Sequence, residues 1–119
     1  SVSLSDGTEI NLVDLDPVKG SEQGRVLPVI VFQNPDLSKF TSTYLCIPLT
    51  TNLSRMSIPG ACFLKKGEGG LSKDAVALCF QLRAIDKSRL IKKYGRISSG
   101  ALQSLADAIL SAIGIDLEE

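Results

Sequence analysis

The chain has 119 residues, 44% of them hydrophobic, and reads as one domain over 1–119; at this length roughly two-thirds of the unfolded surface can be buried without metal or disulfide staples. It contains no His, which excludes a Ser-His-Asp triad, a paired-His ribonuclease mechanism and a His-ligated zinc. The 13 Lys and Arg balance the 13 Asp and Glu, yet six cations and one anion lie between Arg83 and Arg96, so neutrality does not exclude a polyanionic partner.

Residues 9–16 read as a first strand, with Ile10 and Leu12 alternating with polar neighbours. Residues 17–24 combine Pro, Gly and small polar side chains and form a loop. The Val- and Ile-rich run 25–33 is a second strand, in which Pro28 argues for an edge position or a bulge. Asn34-Pro-Asp opens a turn or short helix, 43–51 is a third strand containing Pro48, and 61–65 a fourth. After the Gly67-Glu-Gly-Gly70 turn, 75–85 reads as one long fifth strand. Val76, Leu78, Phe80 and Leu82 share one of its faces, and Ala77, Cys79, Gln81 and Arg83 the other. The spacing predicts a short helix over 86–94, N-capped by Asp86, and a final helix over 99–113 with Leu102, Leu105, Ile109 and Ala112 as its apolar stripe. Ser98 or Ser99 caps that helix and Gly114 stops it. Five short strands with a terminal helix make a mainly β, strongly curved, barrel-like sheet.

Cys46, Cys62 and Cys79 are odd in number and widely spaced, which points to reduced thiols packed as small hydrophobes rather than to a disulfide framework or a metal knuckle. No apolar run is long enough to span a bilayer, and no secretory leader is evident, so a cytoplasmic location is expected. Taken alone, Thr50, Thr51 and Asn52 form a turn where a strand ends. Asp14 and Asp16 share a strand face and raise a magnesium-dependent nuclease, although such a site needs further oxygen ligands.

Several segments in order resemble the MazF/PemK toxins of bacterial toxin-antitoxin pairs. They are Leu12-Val-Asp-Leu-Asp-Pro17, Gly20-Ser-Glu-Gln-Gly24, Pro28-Val-Ile-Val, Gln33-Asn34, Pro48-Leu-Thr50, Gly70-Leu-Ser-Lys-Asp74 and Gln81-Leu-Arg-Ala-Ile-Asp-Lys-Ser-Arg-Leu90. The resemblance covers about residues 9–113. It implies an SH3-like barrel of the plasmid-maintenance toxin type (MazF, Kid, CcdB) with a C-terminal helix, and a homodimer. It further implies cofactor-free, metal-independent cleavage of single-stranded RNA by 2′-OH attack, leaving a 2′,3′-cyclic phosphate and a 5′-OH. A MazE-like antitoxin with a disordered acidic tail is the expected protein partner.

By the same resemblance, Thr50 matches the catalytic Thr, and Ser21, Glu22, Gln23, Gln33, Asn52, Gln81 and Arg83 are RNA-binding positions. The catalytic Arg of the family precedes the Pro that opens the second strand, and here that position is Leu27. A guanidinium supplies charge and bidentate geometry to a phosphorane; Leu27 supplies neither. Arg25, two residues earlier on the same strand face, is a candidate substitute. The sequence therefore predicts an endoribonuclease toxin impaired at Leu27, with a catalytically silent barrel that binds RNA or antitoxin as the alternative. A CcdB-like topoisomerase poison is a third reading, opposed by the absence of Trp beside Gly114-Ile115.

Overall fold

The computed structural model describes residues 8–15 and 26–114. Among them lie β1 (Glu9–Asp14), β2 (Val26–Val31), β3 (Thr43–Thr50), β4 (Ala61–Leu64), β5 (Ala75–Leu78), β6 (Arg83–Asp86), β7 (Leu90–Arg96) and α1 (Ser99–Ala112). The seven strands form one antiparallel sheet in the order β4-β5-β3-β2-β1-β7, with β6 added beside β3.

The organising strand is β3. Along one edge its Cys46, Ile47 and Pro48 pair with β2. Along the other, Thr43 to Cys46 pair with β6, whereas Leu49 and Thr50 pair with β5. Pro48 falls in the gap between those two partners, where that edge of β3 has no ladder to break. Pro28 has a related explanation. The expected edge strand is in fact interior, but Pro28 lies just past the last β2–β3 pair, Val29 with Pro48, while still opposite Leu12 of β1.

Two sequence expectations are corrected. The long fifth strand is broken into β5 and β6 by a 3-10 turn at Cys79–Gln81, so the five expected strands become six, and β7 makes the seventh. The turn carries the chain from the β5 position beside β3 to the β6 position, and the alternation of Val76, Leu78, Phe80 and Leu82 does not continue through it. The helix expected over 86–94 is a single 3-10 turn, Lys87–Arg89, followed by strand β7. Asp86 does cap that turn, its Oδ1 accepting from Ser88 N at 2.8 Å, but antiparallel pairing with β1 then overrides the helix propensity of the Lys-rich segment.

Side chains alternate across the sheet. On one side Ile10, Ile30, Ile47, Leu49, Leu64 and Ala77 form the main core, closed by Leu105 of α1, which is wholly buried. On the other side Val13, Val29, Val31, Cys46 and Ile85 form a smaller apolar cluster. All three cysteines are buried free thiols. Burial pushes Cys79 up to about 12 and Cys46 up to about 11, the latter partly offset by the nearby Arg83 guanidinium.

Helix α1 begins at Ser98, whose Oγ accepts from Ala101 N at 3.2 Å. The same serine donates through its N and Oγ to the two carboxylate oxygens of Glu68, at 2.7 and 2.8 Å, tying the helix start to the β4–β5 connection. Near the other end, Ala112 packs on Gly60, where a Cβ would come within 2.7 Å of the alanine Cβ. Replacing Ser98 by Ala is expected to lower stability by about 1 kcal/mol in urea denaturation, whereas Ser98→Thr, which keeps the capping hydroxyl, avoids most of the loss.

Candidate functional site

Thr50 is the last residue of β3, opposite Val76 of β5. Its Oγ1 accepts from Asn52 N at 3.1 Å, and Asn52 in turn caps the 3-10 turn Leu53–Ser57, its Oδ1 accepting from Ser54 N at 3.2 Å and Ser54 Oγ at 2.7 Å. The turn expected at the strand end is therefore present, and it fixes the direction of the Thr50 hydroxyl. Asn52 is exposed, but its side-chain oxygen is already engaged in the cap.

Leu27 is half-buried in β2 and pairs with Val13 of β1. The β2–β3 ladder ends at Val29 opposite Pro48. Two further steps of that register carry position 27 across from Thr50, on the sheet side of Val29 and Cys46. The ladder itself stops short of the two positions that the sequence singles out for catalysis, which only its continuation aligns, and a leucine occupies one of them.

Arg83 opens β6 directly opposite Cys46, on the same sheet side and one four-residue step along β3 from Thr50, about 13 Å by strand rise. Its side chain is exposed. Gln81 lies in the 3-10 turn before it, also exposed, so the two do not share a regular strand face as expected. Gln33 is elsewhere. It is 4% exposed, its Nε2 donates to Ser38 Oγ and its Oε1 accepts from Leu45 N, both at 2.8 Å. Its amide joins β3 to the loop after β2, each of its polar atoms making one internal hydrogen bond. Ser21, Glu22, Gln23, Arg25 and Asp16 lie outside the described residues.

One further feature was not picked out from the sequence. Beside Thr50 opens a cleft of about 460 Å³, whose walls include Pro28, Thr51, Ser72, Lys73 and Tyr94. Ser72 and Lys73 belong to the Gly70-Leu-Ser-Lys-Asp74 segment, which carried the resemblance without a role; Tyr94 was hidden by the helix expected there. Among the described residues, no group of three or more His, Cys, Asp and Glu is placed to hold a metal ion.

Residues 7–113 match the family model of the PemK-like, MazF-like toxin of type II toxin-antitoxin systems. The chain belongs to the PemK/MazF toxin family. It is 34% identical over 107 residues to the endoribonuclease MazF of Staphylococcus saprophyticus, covering 90% of this chain and 89% of that one. The same fold is seen in Mycobacterium tuberculosis toxin MazF-mt6, at a TM-score of 0.75 and 19% identity over 92% of this chain and 99% of that one. It is seen again in the MazE-MazF structure from Deinococcus radiodurans, at 0.73 and 20% identity over 97% of this chain and the whole of that one. Membership in the PemK/MazF family agrees with the arrangement of seven antiparallel strands and a C-terminal helix. Among the described residues no helix is long and apolar enough to cross a membrane.

Proposed function

We propose that the chain is the RNA-cleaving toxin of a toxin-antitoxin pair, held in a weakened catalytic state by Leu27. What supports this reading is that the β2–β3 register, continued two steps past its last pair, aligns position 27 with Thr50 in a chain 34% identical to an endoribonuclease MazF. In-line attack by a ribose 2′-OH builds extra negative charge on the phosphoryl oxygens, and fixed donors must meet it. The Thr50 hydroxyl, oriented by Asn52 N, donates to that charge or to the scissile phosphate. Arg83 and Gln81, exposed at the start of β6 and in the turn before it, contact the flanking nucleotides. Bond cleavage then leaves a 2′,3′-cyclic phosphate and a 5′-OH, with no metal or cofactor in the reaction.

Position 27 is where a guanidinium would act as the strongest donor, and leucine supplies no charge there. That same residue favours a second reading, in which the fold binds RNA or an acidic antitoxin tail without cutting. In either case the functional unit is a homodimer acting in the cytoplasm, with a MazE-like peptide as its protein partner. The test is incubation of long single-stranded RNA with EDTA, using this protein and its Leu27→Arg form, followed by mapping of the cut ends. Cuts by the substituted form alone support impairment. Cuts by both assign the role to another group such as Arg25, and cuts by neither leave the binding-only reading.

A further inference from the structure

Strand β7 is irregular in a specific way. Asn11 pairs with Lys93 but Ile10 pairs with Gly95, so Tyr94 has no opposite residue on β1. Bulges of this kind turn one side chain out of the regular alternation, and they concentrate at sheet rims and beside active sites. Here the bulge presents a tyrosine that is 42% exposed and forms part of the wall of the cleft next to Thr50. Gly70 lies against it in a left-handed conformation, φ +86°, with its missing Cβ 3.7 Å from the Tyr94 Cβ. The connection that carries Ser72 and Lys73 thereby runs beside Tyr94, and both line the same cleft.

The charged side chains at the cleft wall and over the ring are cations. Lys73 lines the cleft and makes no ion pair among the described residues. Lys92 sits opposite Leu12, itself a lining residue, and places its Nζ 5.6 Å from the Tyr94 ring centroid. No carboxylate lines the cleft among the described residues, and Thr50, Thr51 and Ser72 add hydroxyls. An exposed aromatic ring beside two cations and several hydroxyls suits a stacked base with its phosphate, the combination by which single strands are bound with little sequence demand.

We propose that this cleft is a nucleotide subsite for single-stranded RNA, in which Tyr94 stacks on a base and Lys73 holds the neighbouring phosphate. The assignment rests on the reading of the chain as an RNA-binding toxin and names where a flanking nucleotide sits. Tyr94 is a binding residue here, and its contribution is to affinity and placement rather than to proton transfer.

The test uses the full chain with Leu27 in place, binding a labelled, randomised-sequence single-stranded RNA across a salt series. Tyr94→Ala is expected to weaken binding about 5- to 150-fold, the range for loss of one stacked base, while Tyr94→Phe stays close to the parent. Lys73→Ala is expected to reduce the slope of log affinity against log salt by about 0.7, the single-strand value for one phosphate, and Tyr94→Ala to leave that slope unchanged. Thermal melts of each variant separate lost binding from lost folding, with Tyr94→Phe as the variant that keeps the packing. If the parent binds RNA and Tyr94→Ala binds equally well, the subsite is overturned while the RNA-binding reading stands. If the parent binds no RNA, both fall. If Tyr94→Ala loses binding of a poly-glutamate peptide but not of RNA, the cleft is a peptide site and the proposal is overturned.

Discussion

Replacing Leu27 by Arg is expected to raise the rate of metal-independent RNA cleavage by about 100-fold or more. One preorganised donor aimed at developing charge contributes about 100- to 1,000-fold in rate, and an Arg fork adds full charge to geometry. The fold can accept the change, because position 27 is half-buried at the start of β2, outside the ladder to β3. There the aliphatic stem can lie along Val13 while the guanidinium reaches toward Thr50. Thr50→Val in the Leu27→Arg protein removes the second donor and is expected to abolish most of the gain. A gain that survives loss of the Thr50 hydroxyl, or no gain at all, would mean that the two positions do not act on one phosphate.

The largest expected stability effect is elsewhere. Leu105 is the wholly buried residue by which α1 packs on the sheet, against a cluster that includes Ile10, Ile30, Ile47 and Leu49. Leu105→Ala removes that contact and leaves a cavity that a helix held at both ends, by Ser98–Glu68 and by Ala112 on Gly60, cannot easily collapse. The expected loss is about 2–5 kcal/mol in urea denaturation, a large share of the stability of a domain this size. Half-buried Leu110 provides the comparison: Leu110→Ala is expected to cost clearly less. Equal losses at the two positions would place the helix in the wrong rotation on the sheet.

Much of this architecture was legible because its signals are local. Alternation in β1 and the Val-rich run of β2 identified strands, and Ser98 with the Leu102–Leu105 stripe identified the helix. The break at Cys79–Gln81 carried no such signal. It contains neither Gly nor Pro, and in the sequence the apolar residues still recur at every second position across it, so only the change of partner along β3 reveals it. Residues 90–96 misled for a related reason, since a Lys-rich segment favours a helix until β1 offers it an edge. At the candidate site, Thr50 and position 27 draw their meaning from family resemblance, and their alignment follows only from continuing the β2–β3 register. Gln33 shows the opposite case, a polar residue in a motif whose side chain the fold spends on internal hydrogen bonds. Tyr94 could be found only once the bulge was seen, because a bulge is a property of two strands together.

The pairing of β1 with β7 bears on how such a chain reaches its folded state. Glu9 lies opposite Arg96, and β3 draws its partners from as far along as Asp86. A sheet built from contacts of this sequence separation folds in milliseconds to seconds rather than microseconds, because loop closure precedes the gain from pairing. During synthesis the first strand has to wait for residues 90–96 to emerge before its second edge can be covered. The polypeptide is accordingly kept from its native form until that late segment has been translated, and any activity that depends on the assembled sheet is delayed with it.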